Sequence, residues 1–182
     1  MDTSELDHWS NECELLLAEW SEKASCYRWL HNKSEKKYRT RYYLFSIPVI
    51  ILSTLTGAAN VGMDSYIDDD NKSMAQGIVG GVNIFAGILS TLQTFLKVCE
   101  NMENHRSAGI SWSKLGRNIS IELAIDPNRR QNCHDFLNIC RAEYDRLIEQ
   151  SPLITDDIIN TFKKRFKSYD TISKPAITNG LD

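Results

Sequence analysis

Residues 76–95 read QGIVGGVNIFAGILSTLQTF, Gln76 to Phe95. The stretch is apolar enough for hydrocarbon, yet a polar or very small residue returns at every third or fourth position. What those positions mean depends on the sequence around them. No Asp, Glu, Lys or Arg occurs between Lys72 and Lys97, and none occurs between Arg41 and Asp64. As helices these two gaps reach roughly 30 to 36 Å, which matches a hydrocarbon core of about 30 Å. Two membrane spans are the leading reading, YYLFSIPVIILSTLTGAANVGM (Tyr42 to Met63) and SMAQGIVGGVNIFAGILSTLQTFL (Ser73 to Leu96). The bland alternative is a pair of buried helices in a soluble bundle.

The flanks argue for the membrane. Signal peptides open with a short basic region, whereas a charged, amphipathic segment of about forty residues comes first here, so the first span is expected to stay in the mature protein. Lys23, Arg28, Lys33, Lys36, Lys37, Arg39 and Arg41 precede it, and Lys97, Arg106, Lys114 and Arg117 follow the second span, while the connection holds only Lys72. This Lys and Arg bias places both termini in the cytoplasm. The connection DSYIDDDNKS then faces outward and is acidic, with Asp64, Asp68, Asp69 and Asp70. Asn71-Lys72-Ser73 fits the glycosylation pattern but abuts the second span. All five cysteines (Cys13, Cys26, Cys99, Cys133, Cys140) fall in the cytoplasmic parts, so no disulfide framework is expected. With a net charge of −3, bulk charge gives no reason to expect a nucleic-acid partner.

Outside the spans the pattern is helical throughout. Leu6, Trp9, Cys13, Leu16 and Trp20 recur at steps of three and four, followed by Ala24, Tyr27 and Leu30, with Ser4 as a cap. No Pro interrupts before Pro48, which lies inside the first span, where membrane helices tolerate it. Beyond the second span, Val98, Met102, Trp112, Ile119 and Leu123 keep helical spacing as far as Pro127, so that span is expected to continue as one rod with Gly109 and Gly116 as its weak points. Phe136, Ile139, Cys140, Tyr144, Leu147 and Ile148 mark another helix, and Ile158, Ile159, Phe162, Phe166 and Tyr169 one more. The fold class is therefore all-α: an integral membrane helical hairpin of two transmembrane helices with long amphipathic cytoplasmic helices, oligomeric. Its divisions are an N-terminal cytoplasmic helix (1–41), transmembrane helix 1 (42–63), an acidic external loop (64–72), transmembrane helix 2 (73–97), a helical extension (98–126), a cytoplasmic helical hairpin (127–170) and a loosely ordered tail (171–182).

No phosphate loop, nucleophile elbow or two-histidine zinc helix is present, so no enzyme is expected. Cys133-His134 with Cys140, and His105 near Glu100 and Glu103, lack the paired spacing of a zinc site, so neither a metal nor a cofactor is expected. His8 and His31 have no partner at a telling interval and receive no role. The basic run KSEKKYRTR, with Lys36, Lys37, Arg39 and Arg41, is a membrane-surface anchor, since anionic lipid attracts such cations by about 1 kcal/mol each.

The stripe itself consists of Gln76, Gly80, Asn83, Gly87, Ser90 and Thr94, at steps of four and three along one helix face. Ile78, Val82, Phe85, Leu89 and Leu92 lie opposite and suit lipid or other helices. The first span carries a thinner version in Ser46, Ser53, Gly57 and Asn60. Small and polar residues let helices approach closely, which makes a packing seam one reading. A second is the lining of a water-filled lumen, because amides in hydrocarbon need partners or water. Two spans cannot enclose a pore, so that reading requires copies around an axis, with the acidic loops gathering cations at the outer mouth. Lys97 stands against it, since it extends the stripe at the inner end.

Four blocks carry a resemblance: EWSEKASCYRWLHNKSEKKY (Glu19 to Tyr38), IPVIILSTLTGAANV (Ile47 to Val61), VGGVNIFAGILSTLQTFLKV (Val79 to Val98) and ENHRSAGISWSKLGRNISIELA (Glu103 to Ala124). Together they resemble the SLATT-like two-span membrane family, in the branch found in large DNA viruses of eukaryotes, over residues 10–170. The resemblance implies an oligomeric membrane effector that forms a pore. No nucleotide-sensing domain of the kind that accompanies bacterial members is expected within these 182 residues, which leaves a signalling input in doubt. The expectation is a pore or ion channel with cation preference whose partners are its own copies, the lipid bilayer and cations. The alternative is a non-conducting scaffolding protein of a virion or host membrane.

Overall fold

The computed structural model describes residues 9–169 and 172–179, apart from the side chains of residues 64–66. The expected cap Ser4, together with Leu6 and His8, lies outside these residues. Every described element is a helix: α1 (Asn11–Tyr66), α2 (Asp69–Phe95), α3 (Val98–Ala124), α4 (Cys133–Gln150) and α5 (Asp156–Arg165), with single 3-10 turns at Pro127–Arg129 and Ala176–Thr178. The chain divides into two compact units, one of residues 1–35 and 103–182 and one of residues 36–102.

In the first unit α1 is preceded by Ser10, whose hydroxyl accepts from the Cys13 amide at 3.1 Å and satisfies one of the unpaired N–H groups of the first turn. Cys13, Leu17, Trp20, Ala24, Tyr27, His31 and Ser34 then follow at alternating steps of four and three, and all are buried or half-buried. This corrects the expected stripe at one position: Leu16 is exposed, while Leu17 fills the core. Helix α3 answers with His105, Ala108, Trp112, Leu115, Ile119 and Glu122, all buried at the same spacing. The two helices run antiparallel, since Ser21 Oγ donates to the Gly116 carbonyl at 3.0 Å while His31 meets His105. Tyr27 stacks on Trp112 with ring centroids 4.4 Å apart.

The two glycines expected to weaken α3 instead lie where it meets α1. A Cβ on Gly116 would sit 3.4 Å from both the Ala24 Cβ and the Ser21 carbonyl, and one on Gly109 would sit 2.8 Å from Asn32 Oδ1. Their small size admits the neighbouring helix, which offsets their poor helix propensity. The expected continuous rod breaks elsewhere, at Lys97, whose φ of 48° places a side chain in the left-handed region that usually ends helices on glycine.

Helices α4 and α5 cover the α1 and α3 pair with aromatic contacts. Trp9 meets Phe136, Tyr144 touches both Trp20 and Trp112, and Trp29 packs edge-on against Phe162 and Phe166. Asn132 caps α4 by accepting from the Asp135 amide, and α5 places Lys163, Lys164 and Arg165 in its last turn, where cations suit the helix dipole. The turn before α4 is held by Arg130, whose buried guanidinium pairs with Glu14, donates to the carbonyls of Ile125 and Leu123, and lies over the Trp9 ring. The described part of the tail is docked where loose order was expected. The Ser173 amide donates to Glu22 Oε2 at 2.8 Å, and Pro175 and Thr178 are buried.

In the second unit α1 and α2 form an antiparallel hairpin. Its link is shorter than the expected loop of residues 64–72, because only Ile67 and Asp68 lie between the helices. Residues 69–72 begin α2, where the carboxylates of Asp69 and Asp70 suit the positive end of the helix dipole. Pro48 sits within α1 without ending it.

Gly116→Leu should force α1 and α3 apart at their closest approach. The expected cost is about 3 kcal/mol, read as a lower denaturant midpoint of the full chain in detergent. Gly81→Leu, a position with nothing within 4 Å of an added Cβ, should leave that midpoint unchanged.

Candidate functional site

The apolar stretches of α1 and α2 are long and apolar enough to cross a membrane, and only 6% of the most apolar window of each is buried within the chain. A core helix of a soluble bundle would be mostly covered. Here Ile47, Ile50, Ile51, Leu55, Ile78 and Phe85 are each more than half exposed. Such a continuous apolar exterior far exceeds what water-soluble monomers tolerate.

Two polar contacts fix the hairpin register. Ser46 Oγ donates to Gln93 Oε1 at 3.2 Å, and Thr56 Oγ1 donates to Asn83 Oδ1 at 2.7 Å. Each pair sums to the same number, so residue positions run in opposite directions along a common axis. The seam on α2 is Ala75, Val79, Val82, Ala86, Leu89 and Gln93, the buried and half-buried positions at steps of four and three. On α1 it is Ser46, Val49, Leu52, Thr56 and Met63.

The stripe of Gln76, Gly80, Asn83, Gly87, Ser90 and Thr94 lies one residue beyond this seam, about 100° around the helix. Gly80 is half-buried and the other five are exposed. Helix handedness fixes where the matching positions of α1 fall. In an antiparallel pair of right-handed helices, the residue after each seam position turns to the same flank on both. Ser53 and Gly57 follow Leu52 and Thr56, and Asn60 lies one turn beyond Thr56. These three therefore join the stripe on one flank, which is polar or small along all of α2 and at Ser53, Gly57 and Asn60 of α1, with the exposed Val61 beside them. The opposite flank carries Ile51 and Leu55 from α1, with Met74, Ile78, Phe85, Ile88 and Leu92 from α2, and is wholly apolar.

Within the chain the polar flank is open. An added Cβ at Gly57, Gly80 or Gly87 would meet nothing within 4 Å. Thr91 and Thr94 turn their hydroxyls back to the carbonyls of Gly87 and Ser90, which satisfies those donors inside the helix. The carboxylates of Asp68, Asp69 and Asp70 are exposed at the turn, while the Asp64 side chain lies outside the described set. At the far end of the apolar stretch of α1, Lys36, Arg39 and Arg41 are exposed and Lys37 is half-buried, with the Arg41 guanidinium over the Tyr38 ring. Lys97 pairs with Glu100 at 3.3 Å.

In the first unit the structure joins two residues that sequence spacing left without a role. His31 and His105 are both almost fully buried, and their Nδ1 atoms lie 3.0 Å apart, so one ring donates and the other accepts. His31 Nε2 has no hydrogen-bond partner among the described residues. Both occupy core positions of their helices' repeats, the one signal in the sequence that would have paired them. His105 is thus drawn to α1 rather than to Glu100 and Glu103. Burial pulls both rings down to about 4, and the neighbouring His105 lowers His31 further.

The fold keeps both rings neutral, whereas the unfolded chain protonates them near 6.5. The unfolded state thus binds more protons between pH 6.5 and 4, so stability is fully present above 6.5 and falls as pH drops through that window. Urea titration of the first unit's helical signal should show it about 4 kcal/mol less stable at pH 5 than at pH 7, about 2 from each ring. His31→Gln should remove about half of that dependence, since His105 keeps its own burial.

No family model and no solved structure matches the chain. An 84-residue segment is 32% identical to the uncharacterized protein VP11 of Micromonas pusilla reovirus, covering 44% of this chain and 42% of the relative. The chain therefore spans less than half the length of that viral protein, and the likeness is to a protein whose name assigns no activity.

Proposed function

We propose that the chain is an integral membrane protein whose copies assemble with their polar flanks turned toward a common axis, where the α2 helices line a narrow path for small cations. The polar flank carries this reading. In hydrocarbon an unpartnered amide costs several kcal/mol. A spanning hairpin with Gln76 and Ser90 exposed on one side, and with Asn83 bonded to Thr56 through its oxygen, therefore requires other copies or water against that side, while its apolar side suits lipid. Symmetry would repeat Asp68, Asp69 and Asp70 around the outer mouth, concentrating cations there. The objection from Lys97 weakens, because this residue leaves the helix in a left-handed conformation and pairs with Glu100. Lys36, Lys37, Arg39 and Arg41 fit an orientation with both termini in the cytoplasm. The SLATT-like resemblance is part of the same proposal.

A dry, scaffolding assembly in a virion or host membrane is the second reading. It is favoured by the Thr91 and Thr94 hydroxyls, already satisfied within α2, and by the open glycines, which allow close helix contact. The likeness to a viral protein suits it as well.

Planar-bilayer recording of the purified oligomer separates the two. The lumen reading expects a conductance whose reversal potential in a salt gradient favours the cation. Asn83→Leu should reduce that conductance by about tenfold, and replacing Asp68, Asp69 and Asp70 with Asn should weaken the cation preference. Absence of conductance, or conductance unchanged by Asn83→Leu, rejects the lumen. Under dry packing, Gly80→Leu should instead dissociate the oligomer in detergent.

A further inference from the structure

Two thiols separated by 120 residues of sequence meet in the first unit. Cys13 Sγ and Cys133 Sγ are 2.7 Å apart, within about an ångström of covalent S–S length. Cys13 lies in the first turn of α1, and Cys133 is the first residue of α4. The contact belongs to a built corner. Trp9 Nε1 donates to the Gln131 carbonyl at 2.9 Å, Arg130 pairs with Glu14, and its guanidinium lies over Trp9. These contacts bind the start of α1 to the turn before α4 on either side of the sulfurs, so the thiols are held together by more than their own contact.

We propose that Cys13 and Cys133 are a modification site, a dithiol that closes to a disulfide when it meets a low-molecular-weight disulfide such as oxidised glutathione. The two thiols differ in access. Cys13 is half-exposed and Cys133 is 6% exposed, so the incoming disulfide meets Cys13 first. The Cys13 thiolate attacks one glutathione sulfur, an S–S bond forms to glutathione, and the other glutathione leaves as a thiolate that takes up the proton. Cys133 sulfur then attacks the Cys13 sulfur of the mixed disulfide and expels the second glutathione, which takes the second proton. The two cysteines lose two electrons and the glutathione disulfide gains them.

Burial and the Cys133 thiol hold Cys13 up at about 12, so its thiolate is scarce at neutral pH and closure accelerates in mild alkali. Alternative pairings are poorly placed. Cys140 follows Cys133 by two helical turns, about 10 Å along α4. Cys26 Sγ lies against the Ser173 carbonyl at the docked tail. In the reducing cytoplasm expected from the sequence the pair stays open, which makes the bond conditional rather than part of a permanent framework.

The test uses the full chain in detergent with Cys99→Ser, which removes an exposed cysteine outside the corner and leaves four thiols. After excess oxidised glutathione at pH 8.5, the thiol count in denaturant should fall from four to two. Peptide mass spectrometry should find Cys13 joined to Cys133 within one chain, and the melting temperature should rise by roughly 10 °C, reversed by dithiothreitol. Adding Cys133→Ser should abolish the linked peptide and the rise. Four remaining thiols, a bond to Cys26 or Cys140, or a bond between copies would overturn the proposal. The peptide map is read on the chain that keeps both cysteines, so it stands even where the Cys133→Ser variant misfolds.

Discussion

Apolar surface that the chain does not cover governs the rest of this structure. Two charge-free stretches lie on α1 and α2, and packing them against each other hides only one narrow seam of each. At about 25 cal/mol per Å², leaving the remaining side chains in water would be prohibitive for a domain of ordinary stability. Hydrocarbon around the hairpin removes that cost and imposes another, since every polar group on its surface then needs a partner. The Thr56 to Asn83 and Ser46 to Gln93 hydrogen bonds meet that requirement within the seam, where model systems assign such contacts about 1 kcal/mol each. On the polar flank the Asn83 oxygen and the Thr94 hydroxyl are bonded within the chain, and Gln76 and Ser90 are left for whatever lies beyond it.

The first unit solves the usual water-soluble problem with the same helix. Its α1 segment changes from a lipid-type surface to a core repeat in which Leu17, Ala24, Tyr27 and His31 face Trp112, Gly116, Ile119 and His105. Aromatic rings do most of the filling, because Trp9, Trp20, Trp29 and Trp112 bridge helices that small aliphatic side chains would leave apart. Polar contacts sit at the edges of this core, where Arg130 fastens the turn before α4 and Glu22 receives the tail. The His31 and His105 pair is a buried polar contact whose rings are both held neutral, which makes it a proton-sensitive point of the unit.

How much was legible differs between the units for a physical reason. Spacing alone identified the helices, the proline-marked end of α3 and the gap between α4 and α5, because periodicity and missing N–H groups are local properties. It misplaced Leu16, since two adjacent leucines satisfy the same apolar pattern and only the position of the partner helices chooses between them. It treated Gly109 and Gly116 as weak points because propensity is judged along one helix, whereas their use depends on a second. It read Asp69 and Asp70 as loop, although carboxylates at a helix start are favourable. The tail showed no periodicity, and its docking depends on Glu22, some 150 residues away.

The sequence by itself determined that the chain is helical, that two stretches are long and apolar enough to cross a membrane, and that a polar stripe runs along the second. Those follow from composition and period, which need no knowledge of neighbours. Only the tertiary structure decided that the stripe lies beside the hairpin seam rather than in it, and that Ser53, Gly57 and Asn60 of α1 share its flank. Register and handedness set that arrangement, and both are fixed by contacts between residues far apart in sequence. The same is true of Cys13 with Cys133 and of His31 with His105, whose chemistry begins when folding brings them together.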